Sequence, residues 1–293
     1  MSAPDEETAL LGLAPVAPDR TVAYGPHPDQ IVDFYAPPPA AVTARAARCG
    51  PVVLLHGGFW RAAYDRRHLS PLAAELARQG LRVALAEYRR VGAGGGAPRT
   101  FEDVAAAIGT VVAETAGPGT ADAGGLVLVG HSAGGHLALL AAARPGIPVG
   151  RVIAVSPVAD LARAHELGLS DGAVAELVAP PPGQDGEAPA LAERIAAADP
   201  ARRPPAGLPV TILHGTDDPD VPLDISRRYL AAATAAAADG GAATTTLREL
   251  PGVGHYAPVT PGTTAYGMLL DALLGGSGAP SDLRGGVLPP RST

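Results

Sequence analysis

The chain has 293 residues, of which 47% are hydrophobic and 17% charged, and its formal net charge is −7. The composition indicates a globular protein with one large core. Because the net charge is negative, we do not expect the protein to bind nucleic acid. No stretch approaches the roughly 18 apolar residues of a membrane span, and Met1 to Glu7 lack the basic segment of a signal peptide. The single cysteine, Cys49, excludes an internal disulfide. We therefore expect a cytoplasmic protein with no membrane partner.

Short β-branched runs alternate with longer helical patterns along most of the chain. This alternation predicts an α/β fold of three layers, with a mostly parallel central sheet and helices on both of its faces. We expect core strands at Val52–Leu55, Leu81–Leu85, Leu126–Val129, Val152–Val155 and Val210–Leu213, a further strand at Thr245–Leu250, and an antiparallel edge pair at Thr21–Tyr24 and Ile31–Tyr35.

Helical spacing of apolar residues predicts one helix from Leu69 to Ala77 and another from Thr100 to Ala116, where Asp103 resembles the acidic member of a capping box. Residues 20–275 are expected to form the domain, with a cap-like insertion at 157–207 that contains a Pro/Gly-rich loop at 180–189. Residues 1–19 and 276–293 lack periodicity, which predicts flexible tails.

The strongest local signal is Gly130-His131-Ser132-Ala133-Gly134-Gly135, directly between an apolar strand and the helical run that follows it. A serine on a sharp turn between a strand and a helix is the arrangement of a nucleophile elbow. The glycines two positions before and after Ser132 leave room for the strained backbone of such a turn. We therefore expect Ser132 to be a catalytic nucleophile.

A serine nucleophile needs a histidine base, which in turn needs an orienting carboxylate. In elbow-type sites the acid precedes the histidine along the chain, and His255 alone among the histidines follows the acidic loop 217–220. Spacing does not choose the acid among Asp217, Asp218 and Asp220. His68 and His136 are interpreted as residues of helix packing or a solvent face, and His214 as a residue buried at a strand end.

The segment His56-Gly57-Gly58-Phe59-Trp60 directly follows the first core strand. Two glycines let the backbone curl so that its N–H groups point into a site, and acyl transfer needs such donors for the developing oxyanion. We expect Gly58 and Phe59 to supply two of these donors. Ala133, the residue after the nucleophile, would supply another.

These three motifs resemble the α/β-hydrolase superfamily, its esterase/lipase group, and most of all the kynurenine formamidases. The matching residues are the loop at 56–60, the elbow at 130–136, and the His-Gly-x-x-Asp-x-x-Val-Pro segment at 214–222. The resemblance spans residues 20–275 and places the acid on Asp218. It implies a serine hydrolase that needs no cofactor and no metal.

The resemblance further implies an acyl-enzyme mechanism, with N-formylkynurenine as the substrate. Trp60 would then bind the aromatic leaving group, or support the loop from beneath. Three alternatives stay open: a carboxylesterase of small esters, an acyltransferase, and a binding protein that keeps the fold without catalysis. The expected partner is a small-molecule substrate, and the chain would be a monomer or a homodimer.

Overall fold

The computed structural model describes residues 3–116, 125–180, 188–238 and 245–275. The strands, numbered in chain order, are β1 (Arg20–Ala23), β2 (Ile31–Tyr35), β3 (Val52–Leu55), β4 (Val83–Ala86), β5 (Leu126–His131), β6 (Val149–Val155), β7 (Val210–Gly215) and β8 (Thr245–Leu250). They form one sheet in the order β1-β2-β4-β3-β5-β6-β7-β8. The pairings of β1 with β2 and of β2 with β4 are antiparallel, and those from β4 to β8 are parallel.

The α-helices of the described residues are α1 (Ala3–Leu11), α2 (Ala44–Ala47), α3 (Ser70–Arg78), α4 (Arg99–Thr115), α5 (Ala133–Ala142), α6 (Leu161–Glu166), α7 (Leu169–Leu177), α8 (Leu191–Ala198), α9 (Leu223–Ala238) and α10 (Thr264–Leu274). Short 3₁₀ turns connect several of them. Within this part of the chain, no helix is both long enough and apolar enough to cross a bilayer.

Two apolar cores lie on opposite faces of the sheet, because successive side chains of a strand point to opposite sides. Val53 and Leu55 of β3 belong to the core that includes Val104 and Ile108 of α4. Val52 and Leu54 belong to the core that holds α3 and α10. The predicted three-layer architecture, with a mostly parallel sheet and helices on both faces, is therefore confirmed.

Most predicted strands form at or within a few residues of their expected positions. Val52–Leu55 and Ile31–Tyr35 match β3 and β2 at both ends, and the antiparallel edge pair is present. The run predicted from Leu81 forms a strand only from Val83. Helix patterns are equally informative, since α3 and α4 begin and end within a residue or two of the predicted helices.

The predicted capping box at the start of α4 is wrong. Pro98 is the N-cap residue and makes no side-chain cap. Asp103 is instead buried, and its carboxylate accepts hydrogen bonds from the side chains of Arg89 and Gln30. A buried carboxylate needs such partners, and they lie in loops that precede the helix rather than in its first turn.

The predicted flexible tail at residues 1–19 is also wrong over much of its length. Residues 3–11 form α1, and Glu6 and Leu10 are buried, Leu10 within the core beneath α3 and α10. The short helix lacks strong apolar periodicity of its own, so its order depends on these contacts with distant residues. The predicted tail at 276–293 and most of the loop at 180–189 lie outside the described residues.

The predicted insertion at 157–207 lies between β6 and β7 and contains α6, α7 and α8. The first turn of α7 is irregular, because Ser170 and Asp171 have positive φ angles of 48° and 52°. Ser170 also accepts hydrogen bonds from Arg61, which follows the loop after β3. The insertion therefore reaches the edge of the sheet where the carboxyl ends of β3 and β5 lie.

Candidate active site

Ser132 occupies the sharp turn between β5 and α5. Its backbone has φ 55° and ψ −119°, a left-handed φ that is strained for a residue with a side chain. The strain is held by hydrogen bonds: the Ser132 N–H donates to the Val155 carbonyl (2.9 Å), and its own carbonyl accepts from Gly135 and Val158. The surrounding backbone therefore fixes this conformation, as is typical of functional sites.

Close backbone contacts explain the two glycines around Ser132. A Cβ atom on Gly130 would lie 2.1 Å from the carbonyl oxygen of Gly134. A Cβ atom on Gly134 would lie 2.2 Å from the carbonyl oxygen of Leu55, at the end of β3. Both distances are far below any real contact, so only glycine fits, as the sequence predicted for an elbow.

Asp218 and His255 form a buried pair, although 37 residues separate them. The Nδ1 of His255 lies 2.7 Å from Oδ2 of Asp218, and because a carboxylate only accepts, Nδ1–H is the donor. Asp218 follows β7, and His255 follows β8, the neighbouring strand. The parallel pairing of these strands brings the two loops together at one sheet edge.

The environment of Asp218 keeps its carboxylate ionised. Oδ1 accepts from the N–H groups of Asp220 (3.0 Å) and Val221 (2.9 Å), and Nε2 of His214 lies 3.4 Å from Oδ2. Burial alone would raise the pKa of Asp218. The charge of His255 and hydrogen bonds from His214 and His255 outweigh burial and hold this pKa well below its ordinary value.

The neighbouring acids have different surroundings. Asp217 is exposed, and its carboxylate accepts from the hydroxyl of Thr216. Asp220 is half-buried and lies beside Tyr256, where burial together with the carboxylates of Asp220 and Glu7 raises the pKa of the phenol. Of the three acids that spacing left open, Asp218 is thus the one bonded to His255.

Ser132 and His255 line one cavity of about 210 Å³. The structure thereby brings together the predicted nucleophile and base, with the acid behind the base. The remaining cavity residues come from α1, the segment between β3 and α3, the end of β5, α7 and the loops after β7 and β8: Glu7, Leu11, Gly58, Phe59, Arg61, Tyr64, His68, His131, Ser170, Asp220 and Tyr256.

The loop after β3 lies against the elbow and forms part of the cavity wall. Gly58 and Phe59 both line the cavity and have positive φ angles of 101° and 46°. A Cβ atom on Gly57 would lie 3.0 Å from Cβ of Ser132, which shows how closely the loop approaches. Among the described residues, no hydrogen bond uses the N–H of Gly58 or Phe59.

Ala133 completes the set of predicted donors. It is the first residue of α5, so its N–H has no acceptor within the helix. Gly58 and Phe59 thus line the cavity that Ser132 lines, Ala133 follows Ser132, and none of the three N–H groups has a partner among the described residues. This arrangement is suited to an oxyanion.

Residues that sequence reasoning missed hold this loop in place. Nε2 of His56 lies 2.8 Å from Oε1 of Glu87, and Nδ1 lies 2.8 Å from the carbonyl oxygen of Gly57. The ring of His56 stacks on Tyr88, whose hydroxyl donates to the His56 carbonyl. Burial would raise the pKa of Glu87, but the charges of His56 and Arg90 lower it to about 2.

Trp60 does not line the cavity. Its side chain is fully buried, its indole N–H donates to Nδ1 of His136 (3.2 Å), and the two rings meet edge to face. The expectation that Trp60 binds substrate is therefore corrected. Of its two possible roles, the structure places Trp60 in the core beneath the loop, where a large flat side chain has a hydrogen-bond partner.

His131, the residue before Ser132, contacts His255. Its Nε2 donates to the His255 carbonyl (3.1 Å), and the two ring centroids are 4.6 Å apart. Burial, with the nearby charge of His255, holds the pKa of His131 well below its ordinary value. The lowered pKa favours the neutral form of this ring beside His255.

Within the described ranges, Asp218, Asp220 and His255 form a group whose ligand atoms lie within 4.8 Å of one another. Two of these side chains already bond to each other through Nδ1 and Oδ2. The third lies beside the Tyr256 hydroxyl. All three side chains thus already contact other groups of the protein. The expectation that the site holds no metal stays a prediction.

The sequence model of the BD-FAE family matches residues 32–147, a segment that carries the loop at 56–60 and the elbow but ends before Asp218. No curated protein matches the chain. Among solved structures, an esterase B from Lactobacillus rhamnosis superposes with a TM-score of 0.65 at 22% identity, covering 92% of each chain.

A truncated carbohydrate esterase from gut microbiota gives a TM-score of 0.67 at 19% identity, covering 90% of this chain and 99% of its own. An esterase/lipase from an uncultured bacterium gives 0.64 at 21%, covering 94% and 88%. At such identities the likeness concerns the fold. The chain has the α/β-hydrolase fold, as its sequence motifs predicted.

Proposed function

We propose that this protein is a serine carboxylesterase that hydrolyses small, neutral esters. The observation that carries the proposal is the convergence of Ser132 and His255 on one cavity, with Asp218 bonded behind His255 at 2.7 Å. The match to the BD-FAE family and the structural likeness to esterases add support.

In the proposed reaction His255 acts as general base. Because Nδ1–H donates to Asp218, Nε2 carries the lone pair that takes the proton from Oγ of Ser132. Oγ attacks the ester carbonyl carbon, and the N–H groups of Gly58, Phe59 and Ala133 bind the oxyanion. His255 then protonates the departing alcohol, which leaves Ser132 acylated.

Water completes the cycle by the same groups. His255 takes a proton from the water as its oxygen attacks the acyl carbonyl, and the proton passes to Oγ of Ser132 as the carboxylic acid leaves. An acyltransferase would differ only in that an alcohol acceptor replaces this water. No cofactor enters either sequence of steps.

The charges at the cavity favour a neutral substrate. Glu7 and Asp220 line it with carboxylates, which repel an anionic group. The cavity's arginine, Arg61, donates to both carboxylate oxygens of Glu176 and to Ser170, so its guanidinium is already engaged. Leu11, Phe59 and Tyr64 form an apolar part of the cavity wall. Such a wall suits a short acyl chain or a small alcohol.

Kynurenine formamidase activity is the second candidate, carried by the His-Gly-Gly-Phe-Trp loop at 56–60. Two observations weigh against it. N-Formylkynurenine is a zwitterion, and for its carboxylate the acidic cavity offers no free cation among the described residues. Trp60, one of the two residues that distinguish the formamidase-like loop, is buried away from the cavity.

The test is kcat/KM for p-nitrophenyl acetate and butyrate beside N-formyl-L-kynurenine, with Ser132→Ala as the matched blank. We expect hydrolysis of the esters to exceed that of the formamide by about a hundredfold or more, and Ser132→Ala to reduce it by at least about a thousandfold. A fluorophosphonate probe should label the wild type and leave Ser132→Ala unlabelled.

Other outcomes separate the alternatives. Preference for the formamide would establish the second candidate and overturn the ester proposal. Unchanged ester hydrolysis by Ser132→Ala would refute the nucleophile. A folded wild type that neither hydrolyses these substrates nor reacts with the probe would indicate a binding protein that has kept the fold.

A further inference from the structure

The carboxylate of Glu6, on α1, lies against the loop that carries His255. Oε1 accepts from the N–H of Gly254 (3.0 Å), and Oε2 accepts from the N–H groups of Ala257 (3.0 Å) and Tyr256 (3.3 Å). Glu6 is 4% exposed. One buried side chain thus bonds to the residues on both sides of His255.

The other hydrogen bonds of this segment use its carbonyl groups and the ring of His255 rather than these N–H groups. Among the described residues, Glu6 is the sole acceptor for the N–H groups of Gly254, Tyr256 and Ala257. His255 lies between the end of β8 and a 3₁₀ turn that begins at Ala257, so no regular structure satisfies these donors. Without Glu6, three buried or half-buried N–H groups would lose their partner.

We propose that Glu6 is a positioning residue, which holds the loop so that His255 meets Ser132 in the reactive geometry. This inference rests on the proposed hydrolase function and assigns a role to a residue outside the triad. Small displacements of a general base strongly slow proton transfer, so a loop held at three points favours turnover. The same helix supplies Glu7 and Leu11 to the cavity wall.

Gly254 provides an independent way to disturb the contact. A Cβ atom on Gly254 would lie 2.7 Å from Oε2 of Glu6, and its three nearest heavy atoms all belong to the Glu6 carboxylate. The φ of Gly254 is outside the left-handed region, so alanine is compatible with its backbone. Gly254→Ala should therefore displace the carboxylate and little else.

The experiment is a double-mutant cycle of Glu6→Ala and Gly254→Ala in the full chain, with Thr8→Ala on the exposed side of α1 as the control. Ester kcat and KM, the rate of fluorophosphonate labelling and the Tm are measured for each variant. Glu6→Gln, which keeps one acceptor oxygen and the side-chain shape, serves as the conservative variant.

Each single change should reduce kcat and the labelling rate about tenfold or more, while KM stays within about twofold. The double variant should match Glu6→Ala, because Gly254→Ala has nothing left to displace. Glu6→Gln should fall between Glu6→Ala and wild type, and Thr8→Ala should behave as wild type.

Multiplicative effects in the double variant, or wild-type kcat in folded Glu6→Ala, would overturn the proposal. So would a fall in Tm with kcat unchanged at a temperature where the variant is folded, since Glu6 would then only stabilise the fold. These failures differ from failure of the proposed function, in which Ser132→Ala retains activity or the wild type has none.

Discussion

The indole N–H of Trp60 donates to Nδ1 of His136, and Nε2 of the same ring donates to the carbonyl of Ala198. His136 therefore has one protonated nitrogen and one that accepts, which is the neutral form of the ring. These hydrogen bonds connect the loop after β3, the helix that follows Ser132 and the end of the insertion. They stabilise the loop after β3 from inside the core.

Replacing Trp60 should lower stability without changing substrate preference. In Trp60→Phe the Nδ1 of His136 loses its donor, and the smaller ring leaves a void, so we expect a loss of about 2 to 4 kcal/mol in the free energy of unfolding. Denaturant titration measures that loss. For esters with alcohols of increasing size, kcat/KM should change by one common factor, whereas a Trp60 that touched substrate would change these esters unequally.

Acid should destabilise the protein through buried histidines. Burial lowers the pKa of His136 to about 4, although the bond to the Ala198 carbonyl opposes the shift. The unfolded chain, with an ordinary histidine pKa, binds this proton near pH 6.5, so between pH 6.5 and 4 the unfolded state holds more protons. The free energy of unfolding must then fall as pH falls through that window, by up to about 3 kcal/mol from this residue.

The check is denaturant unfolding from pH 7.5 to 4.5 for wild type, His136→Gln and the exposed-residue control His165→Gln. His136→Gln should show a shallower dependence on pH, and His165→Gln the wild-type dependence. Part of the slope will persist, because burial also lowers the pKa of His68, to about 4, and that of His131. An identical slope in His136→Gln would contradict the assignment.

Asp218→Asn should inactivate the enzyme while preserving its fold. The asparagine amide would donate where the carboxylate accepts, which favours the tautomer of His255 with its proton on Nε2, and that tautomer is no base toward Ser132. We expect kcat to fall by about three to four orders of magnitude. Asp217→Asn is the matched control, since Asp217 is exposed, and its kcat should stay within about twofold of wild type.

Gly134→Ala should disrupt the junction between the elbow and β3. Its new Cβ would lie 2.2 Å from the Leu55 carbonyl oxygen, a backbone atom that is held in the sheet. A loss of about 3 kcal/mol and little ester hydrolysis are expected. Gly109→Ala, on an open face of α4 with no atom within 4 Å, should instead stabilise by about 0.5 to 1 kcal/mol. Equal Tm values for the two variants would contradict this reading.

Sequence reasoning located the parts of the site that local patterns encode. The elbow requires glycines at fixed positions around Ser132. The loops of Asp218 and His255 each follow a recognisable strand, and parallel pairing brings such strand ends together. The buried strands could also be predicted, because β-branched runs between turn residues favour strands.

The partners of buried polar residues could not be predicted from local patterns. Glu87 belongs to no motif, and its role arises from a ring nitrogen of His56, 31 residues earlier. Asp103 looked like a cap because its local spacing fitted one, yet Arg89 and Gln30 bind it in the folded chain. Which buried carboxylate finds which partner depends on the packing of whole elements, and a single sequence contains no local sign of it.

The contact between Glu6 and Gly254 joins residues 248 positions apart. During synthesis the helix that bears Glu6 is made long before the segment that Glu6 binds, so these hydrogen bonds can form only late in translation. The turn at Ser132 is made well before Asp218 and His255. The proposed site would thus be completed late, when the helix of Glu6 and the loop of His255 meet.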